Sequence, residues 1–407
     1  MTSPQWTPTS RELADLELHL TGALPGRNAL TVATTRTFAE AVDDAVELID
    51  PEGVPLATLT VTARTYDTDG DAATLTGPVE ALSPNEFGPF RRYHRAPADV
   101  RSEHPNAIAV PVTAPPTIAD VEAINARAAA TGKTPVLLVY TGPGTPQGVS
   151  APALVRTALA AARDIPASAV VAVAVAARDD AEADAAFHAE VAEAYADETL
   201  LLAAAGERSA DVEAIRRRDH PPRSERGLVI FFTGLSGSGK STLARALYDL
   251  ILERGERTVT SLDGDVVRHH LSKGLGFSKE DRETNIARIG WVAAEIARHH
   301  GVAICSPIAP FDSTRKLVRQ MVDDAGGGFA LIHVATPLEE CERRDRKGLY
   351  AKARAGVIPE FTGISSPYEE PTDALVRVDT TGRTIEDALS DVVKGLSEAG
   401  WLGSVDG

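Results

Sequence analysis

The residues with the most recognisable chemistry are Gly234, Gly239, Lys240 and Ser241, which have the spacing G-x-x-x-x-G-K-[ST]. An apolar run precedes this motif and an amphipathic stretch follows it, which predicts a strand, a loop and a helix. Glycines let backbone N–H groups turn toward phosphate oxygens, and the helix N-terminus adds partial positive charge. The lysine can neutralise the β- and γ-phosphates, and the serine hydroxyl can bind Mg²⁺. The motif therefore predicts binding of a nucleoside triphosphate with Mg²⁺.

Two carboxylates, Asp263 and Asp265, follow the next predicted strand, Thr258–Leu262. Ligands of open α/β sheets bind outside the carboxyl ends of the strands, so we expect both carboxylates beside the phosphates. Their expected roles are to bind Mg²⁺ and to accept a hydroxyl proton from the phosphate acceptor. Helix capping by Asp265 is the structural alternative. The predicted catalytic residues are Lys240, Asp263 and Asp265, and the predicted metal ligands are Ser241 and Asp263.

Arginines and an aromatic residue lie downstream of these carboxylates: Arg268, Phe277, Arg282 and Asn285. An aromatic ring can stack on a base, and arginines can donate paired hydrogen bonds to phosphate or sulfate. These residue types favour an anionic nucleotide as the acceptor. A solvated helix face is the alternative for Arg282.

Apolar runs alternate with helical patterns throughout the C-terminal part of the chain. This alternation predicts an α/β fold with a doubly wound parallel sheet. The predicted strands are Leu228–Thr233, Thr258–Leu262, Val302–Cys305, Phe329–Val334 and Leu375–Val378.

The N-terminal half has two different patterns. Residues 1–104 combine a helix with short strands, which predicts an α+β domain, and residues 105–205 have a βα pattern. Residues 206–226 are charged and contain Pro221-Pro222, which predicts a linker with a boundary near residue 222. Residues 227–399 form the predicted C-terminal domain.

The composition limits the class of protein. The chain has 407 residues and a net charge of −17, which is unfavourable for general binding to nucleic acid or to an anionic membrane. Two cysteines exclude a disulfide framework and are typical of a reducing compartment. We find neither a signal peptide nor a long apolar run and expect a cytoplasmic protein without a membrane partner.

Residues 227–399 resemble adenylyl-sulfate (APS) kinase, the P-loop enzyme that phosphorylates the 3′-hydroxyl of adenosine 5′-phosphosulfate. The resemblance depends on several motifs in family order: Gly234–Thr242, Asp263–Asp265 with Arg268, Leu275–Ser278 with Asp281-Arg282, Asn285-Ile286, and Phe361–Ile364. It implies ATP as phosphate donor, Mg²⁺ as cofactor, APS as acceptor and a role in sulfate activation. One family arginine is replaced by Asp312, within the altered stretch Ile308–Asp312.

The resemblance also implies residue roles. The ATP-binding residues would be Gly234, Leu235, Ser236, Gly237, Ser238, Gly239, Lys240, Ser241, Thr242 and Arg343. The APS-binding residues would be Arg268, Phe277, Arg282, Asn285, Ile286, Lys347 and Phe361. Phe277 and Phe361 would enclose the adenine, Lys347 would lie on a mobile lid, and Ser306 matches a candidate phosphoserine of the family.

Residues 10–104 resemble the PUA-like N-terminal part of ATP sulfurylase, through the stretches 10–17, 77–80 and 90–92. The chemistry of that family needs a Q-x-R-N-P-x-H-x-x-H motif, but residues 112–120 contain neither His nor Arg. The nearest remnant of its G-R-D-H-A-G motif is Ala177-Arg178-Asp179-Asp180. We expect a degenerate sulfurylase region that serves folding, dimerisation or docking. The expected partners are a second copy in a homodimer and a separate, active ATP sulfurylase.

Three alternatives follow from the same residues. The first is a bifunctional enzyme with sulfurylase and kinase activities, against which the missing histidines argue. The second is a P-loop kinase for another small alcohol. The third is a non-catalytic regulatory subunit, which would be expected to lack Lys240 or Asp263, and both residues are present.

Overall fold

The computed structural model describes residues 4–68, 70–83, 85, 88–203, 205–276 and 278–403, and describes only the backbone at Asp265. The chain divides into two compact units, Met1–His220 and Pro221–Gly407. Within the described residues, no helix is both long and apolar enough to cross a membrane.

The first part of the N-terminal unit contains two small sheets, with strand orders β1-β3-β4-β7 and β2-β6-β5 in the described residues. Ala57 and Leu59 of β4 alternate with threonines and are buried in the core, as the period-two pattern predicts. The PUA-like character of this region stays a prediction. The elements are β1 (Gln5–Trp6), α1 (Ser10–Thr21), β2 (Leu30–Thr35), α2 (Arg36–Ala41), β3 (Ala45–Ile49), β4 (Pro55–Thr60), β5 (Ala63–Tyr66), β6 (Ala72–Gly77), β7 (Val79–Ala81) and α3 (Pro97–Glu103).

The second part of this unit is a parallel sheet of order β10-β9-β8 with helices between its strands, which agrees with the predicted βα pattern. Both parts lie in one compact unit, whereas the sequence analysis divides them at residue 104. The elements are β8 (Ala107–Val112), α4 (Ile118–Thr131), β9 (Thr134–Tyr140), α5 (Ala151–Ala161), β10 (Ala169–Val173), α6 (Ala181–Tyr195) and α7 (Ala210–Asp219).

Helix α7 lies within the segment 206–226 that the sequence analysis predicts as a linker. The Ser209 hydroxyl caps the helix by accepting a hydrogen bond from the Val212 amide. Val212 is buried against Ala160 and Ala161 of α5. The helix therefore packs on the N-terminal unit, and the charged composition that indicated a linker belongs to its solvent-exposed face.

The C-terminal unit contains a parallel sheet whose order in the described residues is β12-β13-β11-β14-β15. The chain leaves β11 toward one edge of the sheet and leaves β13 toward the other, which opens a crevice at the carboxyl ends of the strands. The elements are β11 (Leu228–Thr233), α8 (Lys240–Arg254), β12 (Val259–Leu262), α9 (Gly264–His270), α10 (Lys279–Arg298), β13 (Val302–Cys305), α11 (Asp312–Asp324), β14 (Gly328–Val334), α12 (Leu338–Arg344), α13 (Leu349–Arg354), β15 (Val376–Val378) and α14 (Ile385–Glu398).

Helices cover both faces of this sheet. Ile230 and Phe232 of β11 pack with Leu247 of α8 on one face, while Phe231 packs with Ile289 of α10 on the other. A strand buried on both faces is expected to be apolar without interruption, as β11 is. The predicted doubly wound parallel fold is therefore confirmed.

Candidate active site

The loop between β11 and α8 has the backbone conformation that its glycines allow. Gly234, Gly237 and Gly239 have φ values of 146°, 75° and 101°. At Gly234, a Cβ atom would also lie 2.4 Å from the carbonyl oxygen of Val334. These glycines let the loop curve closely against β14, with the N-terminus of α8 directly behind it.

Hydroxyl groups hold the centre of this loop from behind. The Ser238 carbonyl oxygen accepts hydrogen bonds from Thr336 Oγ1 at 3.0 Å and from Thr380 Oγ1 at 2.9 Å. Arg344 donates to Thr380 Oγ1 at 2.8 Å and to the Gly237 carbonyl at 3.4 Å. The sequence does not indicate a role for the two threonines, because they lie 98 and 142 residues beyond Ser238.

A further contact reaches the loop from α13. Tyr350 Oη donates a hydrogen bond to the Ser236 carbonyl oxygen at 2.8 Å. The Tyr350 ring also meets the Phe361 ring edge-on, with 5.0 Å between the ring centroids. Tyr350 therefore contacts both the phosphate-binding loop and the segment that carries a predicted adenine-stacking residue.

Lys240, the first residue of α8, points back over the loop. Its Nζ atom donates a hydrogen bond to the Leu235 carbonyl oxygen at 2.7 Å, and the side chain is only 7% exposed. Burial lowers the pKa of Lys240 to about 8, while Cys341 and Asp263 oppose that shift. A desolvated cation is suited to an incoming phosphate, because the ligand brings negative charge that compensates the cost of burial.

Asp263 lies at the carboxyl end of β12, where its Oδ2 atom accepts a hydrogen bond from Ser306 Oγ at 3.2 Å. Ser306 follows β13 and is buried, and this hydrogen bond to Asp263 gives its buried hydroxyl a partner. Among the described residues there is no cluster of three or more His, Cys, Asp or Glu side chains that could hold a metal ion. Mg²⁺ usually takes one or two protein oxygens and the substrate phosphates, and the Ser241 hydroxyl and Asp263 carboxylate are donors of that type.

The loop before α10 is fixed by two side chains. Arg268 Nη1 donates a hydrogen bond to the Gly276 carbonyl at 2.9 Å, and Asp281 Oδ2 accepts one from the Gly276 amide at 2.8 Å. The predicted role of Phe277 lies outside the described residues, and so does that of the Asp265 side chain.

Arg282 of α10 binds both residues that flank Phe361. Its Nη1 atom donates hydrogen bonds of 3.1 Å to the Glu360 carbonyl and to Thr362 Oγ1. The predicted role of Arg282 is to bind the acceptor anion, and the structure shows that it also holds the Phe361 loop against α10.

Asn285 and Ile286 are buried on the next turn of α10. Among the residues that the structure describes, none forms a hydrogen bond with Asn285 Oδ1, and an orphaned buried acceptor favours contact with a ligand. Ile286 packs with Phe231 and Ile289 in the core, so its side chain stabilises the helix.

The remaining predicted residues, Arg343 and Lys347, lie on the surface. Arg343 forms two hydrogen bonds with the Glu340 carboxylate, at 2.7 and 2.8 Å. Arg343 and Arg344 hold the pKa of Glu340 at about 2. Lys347 lies in the turn between α12 and α13, where a lid residue is expected.

A pocket of about 570 Å³ lies between the phosphate-binding loop and the segment after Phe361. Its walls combine apolar and polar side chains in about equal measure. They include Leu235, His333, Thr336, Leu338, Ile364 and Tyr368.

Residues 226–379 match the family model of adenylylsulphate kinase. The C-terminal unit contains an adenylylsulphate kinase domain. The match includes the phosphate-binding loop, Asp263 and Ser306, and the loop that carries Phe361.

The whole chain is also similar to a solved structure, the hexameric APS kinase from Thiobacillus denitrificans. The two chains are 27% identical, the similarity covers 98% of this chain and 94% of the other, and the TM-score is 0.80. The similarity therefore extends beyond the kinase domain into the N-terminal unit.

Curated relatives include the sulfate adenylyltransferases of Neosartorya fischeri and Aspergillus fumigatus. Each is 47% identical to this chain over 192 residues, which are 47% of this chain and 33% of the relative. The chain thus spans about a third of the length of these relatives. They carry the name of the enzyme that the N-terminal region resembles.

Proposed function

We propose that this protein transfers the γ-phosphoryl group of ATP to the 3′-hydroxyl of APS, giving 3′-phosphoadenosine 5′-phosphosulfate and ADP. The observation that carries the proposal is that the adenylylsulphate kinase match contains Lys240 and Asp263 at the carboxyl edge of the sheet. This reaction would be a step of sulfate activation. Both the similarity to APS kinase and the sulfate adenylyltransferase relatives are consistent with that role.

The site residues would divide the work between donor and acceptor. The phosphate-binding loop and Lys240 would hold the triphosphate, while Arg268, Arg282 and Asn285 would orient the acceptor. Asp263 would accept the 3′-hydroxyl proton as the oxygen attacks the phosphorus in line. Mg²⁺ held by Ser241 and Asp263 would neutralise phosphate charge.

An acceptor comparison tests this proposal. With the full chain and MgATP, we expect release of ADP to require APS. AMP, which lacks the sulfate, should not support ADP release. Simple polyols, which represent another small alcohol as acceptor, should not support it either. Saturating transfer to a polyol without response to APS would contradict the proposal and support that alternative.

We propose further that the N-terminal half lacks sulfurylase activity. The N-terminus of α4, which follows β8, is filled by the carboxylate of Asp120. That carboxylate accepts hydrogen bonds from the Thr117 amide and hydroxyl, and from the Ala203 amide at 3.2 Å. A helix N-terminus is a usual position for a phosphate or sulfate, and here the chain's own anion occupies it.

The remnant arginine of the second sulfurylase motif is also engaged within the unit. Arg178 donates two hydrogen bonds to the Asp15 carboxylate, at 2.9 and 2.7 Å. Its guanidinium lies 3.5 Å from the centroid of the Phe187 ring. These contacts stabilise the packing of α1 on α6, and they compete with any role in binding a triphosphate.

A sulfurylase assay separates this proposal from the bifunctional alternative, since the names of the curated relatives are compatible with both. The Lys240→Met variant is the suitable enzyme, because it removes kinase turnover and leaves the N-terminal unit unchanged. We expect no sulfate-dependent release of pyrophosphate from ATP. Release at a rate that saturates with sulfate would establish the bifunctional enzyme.

The assembly of this chain stays a prediction. We expect a homodimer from the sequence, and the similar APS kinase from Thiobacillus denitrificans is hexameric. We propose that this chain forms a homo-oligomer. We propose APS as its small-molecule substrate.

A further inference from the structure

The hydroxyl of Tyr368 lies directly beneath the phosphate-binding loop. Its oxygen is 3.0 Å from Thr233 Oγ1, and Thr233 is the fully buried residue before Gly234. Thr233 Oγ1 is also 2.6 Å from the Ile308 carbonyl oxygen and 3.2 Å from the Ala309 carbonyl oxygen. Carbonyl oxygens can only accept, so Thr233 donates its one proton to them. Tyr368 therefore donates to Thr233, and the chain of hydrogen bonds joins three separate segments.

The surroundings keep this hydroxyl protonated. Burial raises the pKa of Tyr368 to about 12. The ring stacks on His333 of β14, with 5.8 Å between centroids and 27° between ring planes. Burial lowers the pKa of His333 to about 4, so neither ring carries a charge near neutral pH.

The next residue, Glu369, continues the connection. Its amide donates a hydrogen bond to the Pro310 carbonyl at 2.9 Å. Its carboxylate accepts one from the Asp312 amide, at the N-terminus of α11, at 2.7 Å. Asp312 stands where the family resemblance implies an arginine, and its own side chain pairs with Arg315 and Lys316. The altered stretch thus binds to Glu369 through backbone groups, which do not depend on the side chain at position 312.

The segment that leads to Phe361 is short and internally bonded. Ser365 Oγ accepts a hydrogen bond from the Phe361 amide at 2.9 Å, and Arg282 holds the residues on both sides of Phe361. A shift at Tyr368 would therefore be transmitted to Phe361.

We propose that Tyr368 and Glu369 are positioning residues that fix the acceptor-binding loop relative to the phosphate-binding loop. The proposal rests on the proposed function as an APS kinase. The connection begins at the residue before the phosphate-binding loop, passes through the stretch after Ser306 and ends at the Phe361 loop. It would set the position of the acceptor relative to the γ-phosphate through hydrogen bonds within the protein.

The matched variants Tyr368→Phe and Tyr350→Phe test this role. Both remove one hydroxyl group, but Tyr350 donates to the Ser236 carbonyl in the phosphate-binding loop. For Tyr368→Phe we expect KM for APS to rise about three- to tenfold, with KM for ATP within about twofold of the parent. For Tyr350→Phe we expect the larger change in KM for ATP. Glu369→Ala should behave like Tyr368→Phe.

Hydrogen exchange of the 361–366 amides gives a readout that does not depend on catalysis. We expect faster exchange in Tyr368→Phe and no change in Tyr350→Phe. An unchanged KM for APS, or equal increases in both KM values with a lower melting temperature, would overturn the positioning role. If the parent does not phosphorylate APS, the proposed function fails, and the exchange comparison alone then decides whether the connection holds the loop.

Discussion

Replacing Lys240 with methionine is expected to lower kcat/KM for phosphoryl transfer by about 10²–10³, the usual cost of losing one preorganised charge-stabilising group. Lys240 Nζ is buried over the phosphate-binding loop. Among the described residues, the one hydrogen bond recorded for it is to the Leu235 carbonyl. Methionine keeps most of the side-chain volume, so the loss measures the charge. Steady-state kinetics with saturating APS and varied MgATP provide the measurement.

The same substitution is expected to leave the melting temperature unchanged or raise it. Burial lowers the pKa of Lys240 from 10.5 to about 8. Between these two pH values, Lys240 is deprotonated in the folded state and still protonated in the unfolded state. The free energy of unfolding of the parent therefore rises with pH across that window, and the burial cost is largest below pH 8. Any stability gain of Lys240→Met should be largest near pH 7 and should shrink toward pH 10.

Lys240→Arg is the control for charge, because arginine stays protonated throughout this range. ATP affinity of the parent should weaken as the pH rises through about 8, and that of Lys240→Arg should not show this titration. A Lys240→Met variant with kcat/KM within tenfold of the parent would contradict the role assigned to this side chain.

Replacing Asp263 with asparagine is expected to lower kcat by about 10²–10⁴, the range for loss of a general base. The structure places this carboxylate at the end of β12, in hydrogen-bond contact with Ser306. Because Asp263 is also a predicted Mg²⁺ ligand, the variant should need a higher Mg²⁺ concentration for half-maximal rate. Initial rates over a Mg²⁺ series at saturating ATP and APS separate the two effects.

Ser306→Ala is the matched control for Asp263→Asn. It removes the hydroxyl that donates to Asp263 and keeps the carboxylate, so we expect a rate loss of less than about tenfold. A loss as large as that of Asp263→Asn would instead favour a direct role for Ser306, such as the phosphoserine of the family resemblance. An Asp263→Asn variant with a normal kcat and a normal Mg²⁺ requirement would contradict both roles of Asp263.

The sequence predicts the central strands of the kinase domain closely. β11 and β13 have the predicted bounds, Leu228–Thr233 and Val302–Cys305, because continuous apolar runs are buried on both faces of the sheet. Helix α11 has a helical apolar spacing, with Val318 and Val322 buried. Its buried face also includes Arg315, only 2% exposed, which a pattern of apolar residues alone would not place in the core.

The candidate site shows the same division. The motif identifies Lys240 and its loop, because that chemistry is local in the sequence. The threonines that hold the loop lie 98 and 142 residues beyond Ser238, and only the order of strands in the sheet brings them there. The Tyr368 connection is likewise formed by residues distant in sequence, and no pattern of spacing indicates it.

The measurement that tests the central claim most directly follows the phosphoryl group itself. The 407-residue protein is supplied with MgATP labelled at the γ-phosphate and with APS, alongside the Lys240→Met variant. We predict label in 3′-phosphoadenosine 5′-phosphosulfate, released as phosphate by a 3′-nucleotidase and nearly absent from the variant reaction. Label that remains in ATP, or appears equally with the variant, would contradict the assignment of this site as an APS kinase.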